Sequence, residues 1–171
     1  MHSRRLLDKY PIISDQVTRS ELKVLLQKLE AQLCTESVTG VVEFGCYLGT
    51  TSLFIRRLMD AYDCTAAFHV YDSFAGLPEK GAADSSPAGE QFRAGELTAT
   101  TKDFTMNFKK AGLRLPHIHK AWFADLQPAD LPERISFAFL DGDYYDSITT
   151  SLHLITPRLT AAAVIVVDDY V

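Results

Sequence analysis

Residues 38–72 constrain the fold of this chain more than any other stretch. Residues 38–44 are apolar and rich in β-branched side chains, which is typical of a buried strand. A turn with two glycines follows at 45–49, and residues 50–62 carry apolar side chains at helical intervals. A second apolar run at 65–71 then ends at an aspartate. Strand, helix and strand within about thirty residues predict a βαβ unit, and therefore a parallel sheet with a right-handed crossover.

The same alternation continues through the rest of the chain. A capping-box spacing at 18–21 precedes leucines at helical intervals, which predict a helix to residue 33. The later predicted elements are a helix at 100–112, strands at 117–122 and 135–140, a helix at 145–159 and a strand at 161–167. Together they predict an α/β fold with a Rossmann-like, doubly wound parallel sheet. We expect residues 1–35 to form an irregular N-terminal arm, with a short helix around residues 4–10, followed by the helix that starts at the capping box. We expect residues 36–171 to form the core.

Charge and composition argue against several classes of partner. The 171 residues carry a formal net charge of −5 and no lysine- or arginine-rich stripe, so we expect no nucleic-acid partner. No apolar run approaches the ~20 residues that a membrane span needs, and residues 1–8 lack the apolar stretch of a signal peptide. Cys34, Cys46 and Cys64 are widely spaced, which indicates free thiols in a reducing cytoplasm. The oligomeric state is open, and a homo-oligomer is compatible with the sequence.

Acidic side chains follow four of the five predicted strands. They are Glu43, Asp72, Asp141 and the pair Asp168–Asp169. Because the carboxyl ends of parallel strands meet at one edge of a sheet, we expect these acids to face a common crevice. Carboxylates brought together in this way repel each other unless a cation or hydroxyl groups lie between them. The pattern therefore predicts a ligand-binding crevice at this edge.

The spacing of glycines and acids narrows the ligand. Asp72 is placed to accept hydrogen bonds from a ribose diol. The first turn has only Gly45 and Gly49 and lacks the GxGxxG fingerprint of a pyrophosphate dinucleotide, which favours an adenosyl cofactor without phosphates. The acids after the fourth and fifth strands supply hard oxygen ligands of the kind that Mg²⁺ or Ca²⁺ prefers. A divalent cation there could hold a substrate diol and lower the pKa of its hydroxyl group.

Two other features each have two interpretations. Residues 79–90 are rich in Gly, Ala, Ser, Asp and Pro, which predicts a mobile surface loop that is either a lid or a tolerated insertion. Six aromatic residues lie near strand ends, where such side chains either line a pocket or pack in the core: Phe74, Trp122, Phe123, Tyr144, Tyr145 and Tyr170.

Histidines occur at alternate positions of the third predicted strand. His117 and His119 share one face, which would suit a metal, but no third ligand lies nearby in the sequence. We therefore expect no metal site there, and we expect His69 to be packed against its neighbours.

Several short motifs follow one another in an order seen in a known family. They are Val42–Ser52 (VEFGCYLGTTS), Asp72–Pro78 (DSFAGLP), Phe92–Leu97 (FRAGEL), Trp122–Phe123, Leu140–Ser147 (LDGDYYDS) and Val167–Tyr170 (VDDY). The first resembles the S-adenosylmethionine motif of class I methyltransferases, and the second is similar to the DSFxGLP signature of the macrocin O-methyltransferase family. The resemblance covers roughly residues 36–171.

This resemblance implies a metal-dependent O-methyltransferase that acts on the hydroxyl of a small molecule, a sugar or natural product, with S-adenosylmethionine as cofactor. The implied cofactor-binding residues are Glu43, Phe44, Gly45, Cys46, Tyr47, Gly49, Thr50, Thr51, Ser52, Asp72, Ser73, Phe74 and Asp141. The implied ligands of Mg²⁺, or of another divalent cation, are Asp141, Asp168 and Asp169. Asp141 is also the implied catalytic residue, and Asp143 would brace the loop or the substrate.

The chain departs from the family pattern in two places. Residues 161–163 are alanines where the family usually has a glycine pair, and the chain ends at Val171 where the family continues with more helix and two further strands. We therefore expect a core truncated at its C-terminus, with the general base beyond it. Two other functions stay open. The run 141–143 is also a D-x-D, as in metal-dependent glycosyltransferases, and the domain could bind a cofactor without turnover.

Overall fold

The computed structural model describes residues 1–35, 37–84 and 92–168. The helices in these ranges are α1 (His2–Lys9), α2 (Arg19–Thr35), α3 (Thr50–Ala61), α4 (Thr101–Ala111) and α5 (Tyr145–Ile155). The strands are β1 (Gly40–Phe44), β2 (Ala67–Asp72), β3 (His117–Lys120), β4 (Ile135–Leu140) and β5 (Leu159–Val167). Short 3₁₀ turns lie at Ala82–Asp84, Phe123–Asp125, Pro128–Asp130 and Thr156–Arg158.

The five strands form one parallel sheet in the order β3-β2-β1-β4-β5. In the centre of this sheet, Val42 of β1 lies opposite His69 of β2 on one side and Ala138 of β4 on the other. The chain runs outward from β1 to β2 and β3, and then returns to the other side for β4 and β5. This reversal of strand order opens a crevice at the carboxyl ends of β1 and β4. The predicted α/β, Rossmann-like doubly wound sheet is confirmed.

Each face of the sheet buries its own apolar cluster. Successive side chains of β1 point to opposite faces. Val41 therefore belongs to the buried cluster that includes Leu26 of α2 and Phe54 of α3, whereas Val42 belongs to the cluster that includes Ile155 of α5. Every residue of β1 is buried. Burial on both faces explains why Val41 and Val42 are both apolar and why the strand does not alternate, with Glu43 as its one charged side chain.

Capping side chains define the helix ends that the sequence predicts. The Thr18 N–H group donates to Glu21 Oε2 over 2.7 Å, and the Glu21 N–H group donates to Thr18 Oγ1 over 3.3 Å, which forms the predicted capping box of α2. Thr100 and Asp103 form the same box at α4, and α4 ends at Gly112 with a left-handed backbone.

Glu30 of α2 fastens α1 to the core. Its carboxylate accepts hydrogen bonds from the His2 N–H group and the Ser3 hydroxyl, both over 2.5 Å, and from the Tyr62 hydroxyl over 2.8 Å. The predicted short helix is therefore present, and it begins two residues earlier than the range 4–10. Leu7 on its inner face is buried.

The helix predicted at 145–159 is too long and is wrong beyond Ile155. Residues 156–158 form a 3₁₀ turn, and Leu159 already begins β5. Pro157 cannot donate a backbone hydrogen bond, so the α-helical ladder stops there. The Thr156 hydroxyl donates to the carbonyl of Leu152 over 2.6 Å and so satisfies one of the helix-end acceptors.

Among the helices that the structure describes, none combines the length and the apolar character needed to cross a membrane. The cytoplasmic location, the absence of a nucleic-acid partner and a homo-oligomer stay predictions. The loop predicted at 79–90 falls partly outside the described residues, and residues 79–84 are the part that can be placed.

Candidate functional site

A crevice of about 530 Å³ lies at the carboxyl edge of the sheet. The predicted site residues that line it are Gly45, Cys46, Tyr47, Asp72, Ser73, Asp141 and Asp168. The predicted residues that do not line it are Glu43, Phe44, Gly49, Thr50, Thr51, Ser52 and Phe74. Asp169 lies outside the described residues. The structure thus brings about half of the predicted set into one wall.

The two glycines of the first turn are required by contacts within the protein. Gly45 has φ +82°, and a Cβ added to it would lie 1.9 Å from the carbonyl oxygen of Asp141. Gly49 has φ +85°, and its Cβ would lie 2.8 Å from the ring of Phe104 on α4. Both positions therefore need glycine for backbone conformation and for close approach. These contacts account for the glycines without a bound phosphate.

Asp72 joins the turns after β1 and β2. Its Oδ2 accepts hydrogen bonds from the N–H groups of Cys46 (2.8 Å) and Tyr47 (3.0 Å), and its Oδ1 accepts one from Phe74 (2.7 Å). An ionised carboxylate offers about four acceptor positions, so about one is left for a ligand. Asp72 thus builds the head of the crevice in addition to its predicted contact with ribose.

Glu43 lies beneath this turn and is completely buried. Its carboxyl group accepts hydrogen bonds from the hydroxyls of Thr51 and Ser52, the latter over 2.5 Å. Burial raises the pKa of Glu43 to about 7, although these two hydrogen bonds act in the opposite direction. The three side chains hold the start of α3 on β1, so they support the wall of the crevice from behind.

Cys46 presents a neutral thiol to the crevice. Its side chain is buried, and burial raises the pKa of the thiol well above its usual value, an effect that the carboxylates of Asp72 and Glu43 reinforce. The thiol therefore stays protonated at neutral pH and is not a nucleophile.

Asp141 and Asp168 are neighbours at the edge of the sheet. The Asp141 N–H group donates to the carbonyl of Phe44 over 2.8 Å, and the Asp168 N–H group donates to the carbonyl of Leu140 over 2.9 Å. Both residues thereby continue the strand ladder by one step. Their carboxylates are hard oxygen donors, which fits a divalent cation. Within residues 1–35, 37–84 and 92–168, however, no group of three His, Cys, Asp or Glu side chains is arranged to hold a metal.

Sequence reasoning missed several residues of the wall, which come from elements distant in the chain. They are Asp15 and Gln16 before α2, Gly81 and Asp84 after β2, and Asp146, Ser147 and Thr150 of α5. The residues of α5 recur at helical spacing, so a polar stripe on that helix was the available signal. The first four had no local signal, because only packing brings them to the crevice.

Aromatic side chains form another part of the wall. Of the six aromatic residues considered from the sequence, Trp122, Phe123 and Tyr144 line the crevice, and Phe74 and Tyr145 do not. Tyr170 lies outside the described residues. Phe44 does not reach the crevice, but its ring packs against Phe123 at a centroid distance of 5.2 Å and stacks on Tyr71 at 4.4 Å. Phe44 therefore acts as a support for the aromatic wall.

The wall is strongly acidic. Eight of its residues carry carboxyl groups: Asp15, Asp72, Glu79, Asp84, Asp141, Asp143, Asp146 and Asp168. In the described part of the wall there is no lysine or arginine. A ligand that carries a diphosphate would therefore meet like charges at this surface.

The histidines of β2 and β3 form a separate cluster. His69 Nδ1 lies 3.0 Å from His119 Nε2, and the rings of His69 and His117 stack at 4.5 Å. The pKa of His69 is lowered to about 4, first by burial and then by the two other histidines. A third histidine, His69, does lie near the pair. Among the described residues no group of three His, Cys, Asp or Glu side chains is arranged to hold a metal, and the absence of a metal site at these histidines stays a prediction.

Curated relatives of this chain are O-methyltransferases. The "8-demethyl-8-(2,3-dimethoxy-alpha-L-rhamnosyl)-tetracenomycin-C 4'-O-methyltransferase" of Streptomyces olivaceus is 34% identical over 152 residues, which are 81% of this chain and 58% of the relative. The "Mycinamicin III 3''-O-methyltransferase" of Micromonospora griseorubida is 27% identical over 173 residues, covering 95% of this chain and 68% of the relative. The chain thus spans less than two thirds of the length of the Streptomyces olivaceus relative.

Solved structures of methyltransferases share the fold. The O-methyltransferase NovP superposes with a TM-score of 0.74 at 23% identity, covering 90% of this chain and 67% of NovP. The calicheamicin methyltransferase CalS11 superposes with a TM-score of 0.68 at 19% identity, covering 98% of this chain and 75% of CalS11. At these identities the likeness concerns the class I methyltransferase fold.

The sequence model of the family described as "Macrocin-O-methyltransferase (TylF)" matches residues 4–171, nearly the whole chain. This match agrees with the motifs, with the sheet order and with the crevice at the carboxyl edge. The resemblance noted from the motifs is therefore confirmed: the chain belongs to the macrocin O-methyltransferase family.

Proposed function

We propose that this protein is an S-adenosylmethionine-dependent O-methyltransferase whose acceptor is a hydroxyl group on a sugar or another small natural product. Membership of the family supports the reaction class. The names of the relatives support the acceptor class, because each of them describes O-methylation of a natural product.

One observation carries the proposal. The turn after β1 and the turn after β2 meet at Asp72, whose carboxylate binds the N–H groups of Cys46 and Tyr47 at the head of the crevice. The head of the crevice therefore offers backbone groups and neutral side chains, which suit a cofactor without phosphates. The carboxylate of Asp72 is available to the ribose of that cofactor. In the proposal, Gly45, Ser73 and Asp141 contact the cofactor as well, while Glu43, Phe44, Gly49–Ser52 and Phe74 support these residues from behind.

The chemistry needs alignment more than acid–base catalysis. The acceptor oxygen attacks the methyl carbon in line, the O–C bond forms as the S–C bond breaks, and the sulfonium becomes the neutral thioether of S-adenosylhomocysteine. The hydroxyl proton leaves to a carboxylate of the wall or to water. The role of the protein is to hold the two centres at the right distance and angle and to stabilise the developing alkoxide.

A divalent cation is a further part of the proposal. Asp141 and Asp168 would hold it together with Asp169, as hard oxygen donors at neighbouring strand ends. When bound, the cation would polarise the acceptor hydroxyl and lower its pKa. Asp141 would then have a catalytic role, since it would touch both the ion and the reacting region.

The alternatives have less support. A glycosyltransferase interpretation of residues 141–143 gives no role to the turn after β1 or to Asp72, whereas the matched family is one of O-methyltransferases. A cofactor-binding domain without turnover shares the fold and the crevice, so only an assay separates it from the proposal.

Calorimetry of the full-length protein with S-adenosylhomocysteine tests the proposed function. We expect binding with one site per chain, and methyl transfer from S-adenosylmethionine to a glycoside hydroxyl in a coupled assay. Absence of binding by a folded sample would sink the proposal, and binding without transfer to any of a panel of natural-product glycosides would favour the non-catalytic domain.

A further inference from the structure

We propose that Asp84 determines acceptor specificity: one of its carboxylate oxygens fastens a wall of the crevice to α5, and the other accepts a hydrogen bond from a hydroxyl of the acceptor. The inference rests on the proposed function and adds a residue that none of the sequence motifs includes. The wall in question is the segment Leu77–Asp84, called the wall segment below.

The wall segment starts from a fixed point. The Leu77 N–H group donates to the carbonyl of Glu96, and the Gly95 N–H group donates to the carbonyl of Leu77, both over 2.9 Å. Gly76 has φ +87°, and a Cβ there would lie 2.6 Å from the carbonyl oxygens of Glu96 and Gly95. The chain is therefore held tightly where the wall segment leaves the core.

Asp84 holds the other end of the wall segment. Its Oδ1 accepts a hydrogen bond from the Tyr145 N–H group over 2.8 Å, between residues 61 positions apart. Tyr145 is the first residue of α5, and the residue at the N-cap, Tyr144, makes no side-chain capping bond. Asp84 thus supplies from a distance the acceptor that a local capping residue usually provides, and its charge is favourable at a helix N-terminus.

A second contact brings the same segment against α5. The Lys80 ammonium lies 5.9 Å from the centre of the Tyr144 ring. A Cβ added to Gly81 would lie 2.7 Å from Asp146 Oδ2, so the backbone of the segment passes directly beside the first turn of the helix. The position of the wall segment therefore depends on α5 as well as on Leu77.

The other oxygen of Asp84 has a different environment. Asp84 Oδ2 is shielded from solvent and makes no hydrogen bond to any described residue, although Asp84 lines the crevice. Asp84 Oδ2 and Asp146 Oδ2 both lie beside Gly81, at 3.6 Å and 2.7 Å from the position of its added Cβ. A shielded carboxylate oxygen such as Asp84 Oδ2, beside a second carboxylate, is stabilised by a hydrogen-bond donor placed between the two.

A hydroxyl group fits this requirement better than the other groups of an acceptor. It donates one hydrogen bond to a carboxylate oxygen, whereas a phosphate would be repelled and an apolar group would leave the oxygen unpaired. A polyhydroxylated acceptor such as a sugar would therefore be oriented by Asp84 through a hydroxyl other than the one that is methylated. An analogue that lacks that hydroxyl would leave a buried carboxylate oxygen without a partner, which is how a polar site discriminates.

The two roles of Asp84 can be separated by Asp84→Asn. The amide oxygen of Asn can still accept the Tyr145 N–H bond, but its NH₂ group is a donor and cannot accept a hydroxyl proton. Asp84→Ala removes both functions. Asp63→Asn is the matched control, because Asp63 is exposed in the turn after α3, at the opposite edge of the sheet.

The experiment uses the full-length protein with two cofactor forms: S-adenosylhomocysteine for binding, and S-adenosylmethionine as methyl donor for KM. The acceptor is p-nitrophenyl α-L-rhamnoside, a probe chosen because the name of the Streptomyces olivaceus relative includes a rhamnosyl group. We expect Asp84→Asn to bind S-adenosylhomocysteine within about twofold of wild type and to raise KM for the rhamnoside about tenfold or more. We expect hydrogen exchange of the Tyr145 amide to be unchanged in Asp84→Asn and about fivefold faster in Asp84→Ala. Asp63→Asn should match wild type in every measurement.

Four results overturn the assignment. An unchanged KM in Asp84→Asn would refute the proposed contact between Asp84 and the acceptor. A wild-type protein that binds S-adenosylhomocysteine but not the rhamnoside would refute it as well. If hydrogen exchange of the Tyr145 amide were unchanged in Asp84→Ala, the proposed role of the hydrogen bond between Asp84 and α5 would be refuted. A wild-type protein that binds no S-adenosylhomocysteine overturns the proposed function, and the acceptor role with it.

Discussion

Replacing Glu43 by Gln is expected to remove a loss of stability that the wild-type protein suffers as pH rises. Glu43 is fully buried, and its pKa in the folded protein is raised to about 7 from 4.5, mainly by burial. Between these values the folded protein keeps a proton that the unfolded chain releases. The stabilisation is therefore complete below pH 4.5 and is lost as pH rises through 7.

The magnitude follows from the pKa. A difference of one in pKa between two states corresponds to about 1.4 kcal/mol, so the difference between 4.5 and about 7 corresponds to about 3 kcal/mol in the free energy of unfolding. The glutamine introduced by Glu43→Gln would resemble the protonated side chain. It is neutral, its oxygen can accept a hydrogen bond from one of the hydroxyls of Thr51 and Ser52, and its NH₂ group can donate to the oxygen of the other. Part of the wild-type loss of stability has already occurred at pH 5, so the variant should gain about 2 to 3 kcal/mol relative to wild type between pH 5 and pH 8.5.

Urea unfolding of both proteins at pH 5 and pH 8.5 measures this difference directly. Other titrating groups, including His69, are common to the two proteins and cancel in the comparison. Glu133→Gln, which removes an exposed carboxyl group just before β4, is the control for the loss of a surface charge. If the difference between Glu43→Gln and wild type were the same at both pH values, a buried and protonated Glu43 would be refuted.

Four further changes test the site and its supports. Gly45→Ala should lower the free energy of unfolding by about 3 kcal/mol or more, because the added Cβ would overlap the carbonyl oxygen of Asp141. Gly95→Ala is the control: Gly95 has the same φ of +82° but nothing within 4 Å of an added Cβ, so the loss should be only about 1 kcal/mol. Equal losses in urea unfolding would contradict the steric argument. Asp72→Ala should weaken S-adenosylhomocysteine binding at least about tenfold in calorimetry, because the turns after β1 and β2 lose the carboxylate that accepts hydrogen bonds from both. Unchanged affinity would mean that Asp72 does not organise the cofactor site. Asp168→Asn should abolish the response of methyl transfer to Mg²⁺ and leave S-adenosylhomocysteine affinity within about twofold; a retained response would remove Asp168 from the metal site. His69→Phe should reduce the acid-dependent loss of stability that wild type shows as pH falls from 6.5 to about 4, where the unfolded chain takes up a proton that the folded protein resists. His119, whose pKa is also lowered, would keep its own contribution, and an unchanged pH profile would argue against a contribution from His69.

The sequence by itself determined the order of the elements and the edge at which ligands bind. The strand predicted at 135–140 has the same bounds in the structure. Asp72 ends β2 and Asp141 directly follows β4, both at the predicted edge. These features are local: apolar runs mark buried strands, and right-handed crossovers bring the carboxyl ends of parallel strands together. The motifs around them were enough to indicate the family.

Only the tertiary structure decided what individual side chains do. Glu43 was predicted in the cofactor site, but it lies behind the wall, where it binds Thr51 and Ser52. Asp84 reaches Tyr145 across 61 positions of sequence, and no local pattern predicts such a contact. The physical reason is that burial and hydrogen-bond partners arise when separate elements pack, so the same carboxyl group can serve a ligand, a helix end or a neighbouring turn, depending on what the fold places beside it.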